Sequence, residues 1–256
     1  MSSRRRSVVS SSPRRLVLVL LLPAALSFAQ TPQQIESWLQ DVDRARNAFS
    51  EAVITARATQ ITDGKVTGGA DFQIYAKGED RGLIVFRGGK NDGRKILNVG
   101  EKMWLMVPGA SRALPITPNQ RLLGGASVGD VARIEFAKDF TGVARPGTEA
   151  VNGKPCRVVD LSARSDRAPY SRVVLWFDER QRLPCRLVFF LPSGKQAKEV
   201  TFIKFGQASG RPVVAEMEVR DLVSNQPGVL TRLEYLDYRS AKIDDKFFTP
   251  EGALTF

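Results

Sequence analysis

The stretch Tyr170-Ser171-Arg172-Val173-Val174-Leu175-Trp176-Phe177-Asp178 decides the fold class. Leu175 and Phe177 share one face while Arg172 and Asp178 stand on the other, the period-two signature of a half-buried strand. The same rhythm runs outward in both directions. Downstream it predicts strands over 185–191, 196–206, 212–221 and 229–238; upstream, over 154–163, 102–108, 93–99, 81–87, 65–77 and 51–61. Asp63-Gly64, Asn91-Asp92-Gly93, Gly100-Glu101, Asn152-Gly153 and Ser193-Gly194 punctuate them. Connections this short join antiparallel neighbours, so the chain reads as mainly β (α+β), a meander of about eleven strands rather than a βαβ fold.

Nearly every strand keeps one alternate face free of charge. Phe72 and Ile74 share such a face, as do Ile84 and Phe86, and Met103, Leu105 and Val107. Leu187 and Phe189, Ile203 and Phe205, Val213, Ala215 and Met217, and Leu233 and Tyr235 extend the series. The opposite faces carry Asp71, Lys77, Lys102, Arg186, Lys204, Glu216, Glu218 and Glu234. One large curved sheet with an apolar concave side accounts for this pattern, and so does a packed two-sheet sandwich.

Ahead of the strands, Thr31, Pro32 and Gln34 have the spacing of a helix start. Ile35, Trp38, Leu39, Val42 and Phe49 then recur at helical spacing, an apolar stripe that must cover something. Pro118 to Asp139 breaks the strand rhythm and reads as an insertion with a short helix, suited to a lid or plug. At the front, Arg4, Arg5, Arg6, Arg14 and Arg15 precede an apolar run from Leu16 to Leu22, and Ser27 and Ala29 supply a small-x-small site. Residues 1–29 therefore read as a cleaved signal peptide and 30–256 as a single exported domain. Gln30 stands where a lipid anchor would need cysteine, and the mature part holds no run long enough to span a bilayer.

The net charge of +11 includes five arginines in that leader and no acid, leaving +6 for the remainder. Outside the cytoplasm such an excess suits an anionic membrane surface or acidic partners rather than nucleic acid. Histidine is absent, which removes the commonest general base and metal ligand. No nucleophile motif, metal site or cofactor site is legible, and Asp244 and Asp245, being adjacent, would point apart on a strand. Glu216 and Glu218 share a face, but the charged one. Catalysis is not expected. Cys156 and Cys185 open two strands separated by a third, which in a simple meander puts their Cα atoms about 9–10 Å apart, beyond the ~7 Å limit for bridging. A disulfide needs the middle strand to end early or bend away; two buried thiols are the other outcome.

Residues 170–178, followed by Leu183-Pro184-Cys185-Arg186 and then by Ser193-Gly194-Lys195 and Lys198, resemble a Y-x-K-x-x-L-W-V-D … P-x-R … G-K-x-x-K pattern. It belongs to the LolA-like outer-membrane lipoprotein-sorting family, in the branch typified by a treponemal phospholipid-binding lipoprotein. Gly100 to Pro108 resembles that branch's G-x-x-x-W-L-Y-x-P strand, and Ile243 to Thr249 its closing I-x-D-x-x-F-T. The segment Gly124 to Asp130 departs from the branch's G-S-D-F, so no lid residue is carried over. The resemblance implies a half-open antiparallel β-barrel around a helix-bearing plug, with an apolar cavity for acyl chains.

The expected function is a periplasmic carrier that shelters lipid or lipoprotein acyl chains on their way towards the outer membrane. Its cavity would be lined by Phe72, Ile74, Ile84, Phe86, Met103, Leu105, Val107, Leu175, Phe177, Leu187, Phe189, Phe205, Met217, Leu233 and Tyr235. An inner-membrane transporter or an outer-membrane acceptor is the expected protein partner; the sequence leaves the oligomeric state open, with a monomer as the expectation. The alternative is a lipid-sensing or protein-interaction regulator on the same fold, docking through Arg87, Lys90, Arg94 and Lys95 or through Arg164, Arg167 and Arg172.

Overall fold

The computed structural model describes residues 30–256 apart from 48, 79, 118–120, 124–125, 128–133, 166–167, 169 and 224–227. The expected leader, residues 1–29, lies outside them, as do Arg167 and much of the expected insertion.

The helix forms where the caps place it. Thr31 caps α1 (Pro32–Arg46), its hydroxyl accepting from the Gln34 amide at 3.2 Å, with proline in the first turn. Strands β1 (Glu51–Thr62), β2 (Lys65–Lys77), β3 (Arg81–Arg87), β4 (Lys95–Val99), β5 (Lys102–Met106) and β6 (Leu114–Ile116) follow as a meander. A separate ribbon pairs β7 (Arg121–Leu123) with β8 (Ala126–Ser127). The short α2 (Phe136–Asp139) leads into β9 (Phe140–Ala144) and β10 (Glu149–Val151). A second meander then runs through β11 (Lys154–Ala163), β12 (Arg172–Asp178), β13 (Leu183–Phe190), β14 (Gln196–Ala208), β15 (Arg211–Asp221) and β16 (Val229–Ser240). A 3₁₀ turn at Asp245–Phe248 and α3 (Pro250–Thr255) close the described chain.

The two meanders form one antiparallel sheet of fourteen strands in the order β10-β11-β12-β13-β14-β15-β16-β1-β2-β3-β4-β5-β6, with β9 sharing the outer edge of β11 with β10. The first and last long strands meet at its centre, β1 against β16. Among the described residues the β6 and β9/β10 edges do not pair with each other, so the barrel is open. The turn Asn152-Gly153 shows why these hairpins are tight: φ is 49° and 75° there, the paired positive values of a two-residue turn that matches strand twist.

Register bulges overturn part of the face assignment. In the β14–β15 ladder Phe202 pairs with Met217, Lys204 with Glu216 and Phe205 with Val214, leaving Ile203 and Ala215 as extra residues. Each extra residue reverses the alternation beyond it. Phe202 is therefore buried on the inner side and Ile203, expected there, is 43% exposed. Val214 joins the interior while Val213 packs elsewhere, with Ala208, Phe49 and Tyr238. Val107 is a further correction: β5 ends at Met106, and Val107 is 40% exposed beyond it.

The convex side is not merely solvated. Leu83, Val85, Leu97 and Met106 point outward and are covered by Ile243, Phe248 and Ala253 of the C-terminal segment. Lys95 clamps that segment, its buried ammonium donating to the carbonyl oxygens of Ala253 at 2.9 Å and Phe256 at 2.7 Å. Burial, and the nearby Arg87, hold its pKa below the ordinary lysine value. Lys95 is thus a structural clamp and not part of a basic surface patch. Asp244 caps the 3₁₀ turn, and Asp245 pairs with Lys77 and Arg81.

Cys156 and Cys185 are bridged, with Cα atoms 6.9 Å apart. The β11–β12 ladder begins only at Arg157, just past Cys156. In the β12–β13 ladder Trp176 pairs with Arg186 and Phe177 with Pro184, which makes Cys185 the bulged residue. The middle strand yields at that point, and the flat-meander spacing does not apply.

Candidate functional site

The inner face gathers one apolar cluster. Phe72, Ile74, Ile84, Phe86, Met103, Leu175, Phe177, Leu187, Phe189, Met217 and Leu233 all belong to it, with Leu105, Phe205 and Tyr235 half-buried at its margin. Sequence alternation did not anticipate Val159, Leu161, Val173, Val200 and Phe202, nor Phe136 and Phe140, which join the same cluster. The period-two signal was present in β11, where Val159 and Leu161 alternate with Asp160 and Ser162, although Val158 before them blurs it.

What fills this half-pipe is α1. Ile35, Trp38, Leu39 and Val42 enter the cluster from the helix, and the Trp38 ring stacks on Phe177 at 5.3 Å between centroids. Phe136 of α2 stacks on Phe140 at 5.8 Å. The close approach of α1 to β9 depends on Gly142, where a Cβ would come within 2.9 Å of Ile35 Cγ2 and Val159 Cγ1. A helix therefore seals the concave side where a sandwich would use a second sheet.

The polar side of α1 is tethered to the barrel by charge. Arg164 donates to Glu36 at 3.1 Å, and Arg182 donates to the Ser37 hydroxyl at 2.7 Å and pairs with Asp41. Asp43 joins α1 to α2 by accepting from the Phe136 and Ala137 amides at 2.8 and 2.9 Å. Burial nevertheless dominates over those bonds and raises the Asp43 pKa to about 6. The folded value lies above the unfolded one, so the docked helix pair takes up a proton as pH falls from about 6 towards 4 and gains stability across that window. Above pH 6 the full cost of the buried charge is present. Asp43→Asn is expected to remove this limb: the gain of about 1–2 kcal/mol between pH 7 and pH 5, read from urea midpoints, disappears in the variant. An unchanged pH dependence would mean another group carries it.

At the C-terminal end of α1 a small recess of about 50 Å³ opens on the inner face between Arg46, Asn47, Ile54, Ile74, Ala76, Val214, Met217, Tyr235 and Tyr238. The Arg46 guanidinium lies 5.7 Å from the Phe136 ring and donates to the Ile134 carbonyl at 3.4 Å. The Tyr238 hydroxyl donates to the Val214 carbonyl at 2.7 Å, and burial raises its pKa. Among the described residues no three potential metal ligands cluster. Glu216 and Glu218 are taken up by Arg232, and Arg172 lies over the Phe190 ring.

A family model described as "Uncharacterized protein" matches residues 78–252, more than half of the chain. The chain belongs to that family, and its fold is that of the LolA superfamily. A LolA superfamily protein from Nitrosomonas europaea superposes with a TM-score of 0.74 at 22% identity, over 86% of this chain and 98% of the other. A Desulfovibrio piger protein from a family of unknown function matches at 0.73 and 20% identity, over 88% and 100%. A putative outer-membrane lipoprotein-sorting domain from Vibrio parahaemolyticus matches at 0.70 and 16%, over 86% and 98%. No curated protein matches the sequence significantly. The half-open barrel that the resemblance implied, with the N-terminal helix read from its caps and apolar spacing, is therefore the LolA-like architecture, carried here by sixteen strands among the described residues; the eleven strands expected are all present. No helix among the described residues is long and apolar enough to cross a membrane.

Proposed function

We propose that this LolA-like protein is an exported carrier, periplasmic in a two-membrane envelope, that shelters acyl chains of lipids or lipid-modified proteins. The observation that supports this most is the closure of a continuous apolar half-pipe by one helix, α1. The recess of about 50 Å³ is far below the ~300 Å³ at which small-molecule pockets begin. In this reading a chain takes the place of the α1 stripe.

The energetics suit exchange. Withdrawing Ile35, Trp38, Leu39 and Val42 forfeits about 6–12 kcal/mol, which roughly 8–15 buried methylenes recover at about 0.8 kcal/mol each. Acyl chains of ordinary length sit near that balance, so loading and release both remain accessible. A lining of aliphatic, aromatic and methionine side chains selects hydrocarbon without clamping it. The lining residues, and the absence of a catalytic group, belong to this reading.

Mass spectrometry of organic extracts tests it. Protein purified from a native envelope is expected to carry lipid in stoichiometric amount. Reproducibly lipid-free protein that captures one membrane protein would replace the carrier with the regulator reading.

A further inference from the structure

We propose that Arg182 is a positioning residue, a latch that holds α1 in the half-pipe and sets how readily an acyl chain replaces it. This inference rests on the carrier reading and adds the control of its loading.

The backbone singles this residue out. Among the described residues, Asp63, Asn152, Arg182 and Ser209 have positive φ without being glycine. Asp63, Asn152 and Ser209 each precede a glycine that also has positive φ, as the first residue of a two-residue hairpin turn. Arg182, at φ 56°, instead ends the loop 179–182 between β12 and β13 and is followed by Leu183 of the strand. The start of that loop is fixed by Asp178, whose carboxylate accepts from the Arg180 and Gln181 amides at 2.9 and 3.0 Å. The left-handed conformation at its last position suits glycine and is costly for a residue with a long side chain. Strain of this kind marks positions that serve a contact beyond the turn.

That contact is with α1. The Arg182 guanidinium donates to the Ser37 hydroxyl at 2.7 Å and pairs with Asp41, one turn further along the same side of the helix. The strand leading into the loop supplies Phe177, on which the Trp38 ring stacks. One hairpin thus holds the plug twice, by an aromatic contact from β12 and by a polar tie from its loop.

The tie is reversible. Asp41 is also paired with Arg44 on its own helix, so the carboxylate leaves with a partner when α1 lifts and no buried charge is stranded. The Arg182 side chain is already 50% exposed and exchanges the helix for water. The neighbouring tie, Arg164 to Glu36, likewise joins two partly exposed side chains. The latch therefore favours the closed state without trapping it. Removing it raises the fraction of open protein, and the apparent affinity for any acyl ligand rises by the same factor.

The test uses the intact protein and two ligands that share a chain, oleate and oleyl alcohol, each displacing a fluorescent fatty acid. Arg182→Asn removes the guanidinium, and asparagine accepts the left-handed backbone. Its affinity for both ligands is expected to rise equally, by about three- to tenfold, while the thermal midpoint moves by less than about 3 °C. Ser37→Asp, which offers Arg182 a second carboxylate, should weaken both ligands by about threefold. That loss should vanish when Ser37→Asp is combined with Arg182→Asn. Unchanged affinity in Arg182→Asn, or affinity and midpoint falling together, makes the ion pair ordinary structure and overturns the latch while leaving the carrier intact. A gain confined to one ligand places Arg182 against the ligand's head and overturns the latch as well. If neither ligand binds any of these proteins, the carrier reading falls and this inference with it.

Discussion

Trp38→Ala is expected to destabilise the protein and, at the same time, to tighten its grip on a fatty acid. Trp38 is 2% exposed and its ring lies on Phe177 inside the half-pipe. Truncating a buried tryptophan costs about 3–5 kcal/mol through lost burial and the void left behind. For a chain of this size that lowers the thermal midpoint by roughly 6–20 °C if the whole domain melts with the helix. In an ordinary core nothing compensates, and any ligand binding weakens with the fold. In a carrier the same loss falls on the competitor, because the ligand no longer has to displace the indole. Affinity for a fluorescent fatty acid is then expected to rise at least tenfold, measured well below the variant's melting temperature. A variant that melts early and binds no better would show that α1 is permanent core, and the carrier reading would lose its mechanism.

The same division between core and plug explains what the sequence could reveal. Alternation in β2, β3, β12 and β13 identified Phe72, Ile84, Leu175 and Phe189 as inner because those strands hold their register over the relevant residues. It failed for Ile203 and Val213 because two bulges reverse the faces, and a bulge leaves no mark in residue type. It also understated the outer side: Leu83, Ile84, Val85 and Phe86 form a continuous apolar run, which is the signature of a strand covered on both faces. The cover itself, from Ile243 to Ala253, is short and polar in overall composition, so nothing in its own pattern announces the packing. The three-residue strands β6 and β10 are too brief for periodicity to register. The recess around Arg46 draws on five separate elements, α1, β1, β2, β15 and β16, and no local motif could have assembled it.

The second large effect concerns the bridge between Cys156 and Cys185, which spans a separation of 29 residues. Closing a loop of that length stabilises a fold by about 3–4 kcal/mol through restriction of the unfolded chain. Cys156→Ala combined with Cys185→Ala is therefore expected to lower the thermal midpoint by roughly 6–16 °C. Reductant should reproduce the loss in the wild type, but only after unfolding and refolding in its presence, because Cys156 is fully buried and Cys185 is 8% exposed. On the double variant reductant should do nothing. The bridge lies in the outer cluster with Val158, Val174, Trp176, Val188 and Phe190, on the opposite side of the sheet from Leu175 and Phe177. Loss of the bridge should consequently leave fatty-acid affinity within about twofold of the wild type at a temperature where both proteins are folded. A wild-type midpoint indifferent to reductive refolding would mean that the bond contributes nothing. A large loss of lipid affinity would instead couple the outer cluster to the half-pipe through the β12–β13 bulge.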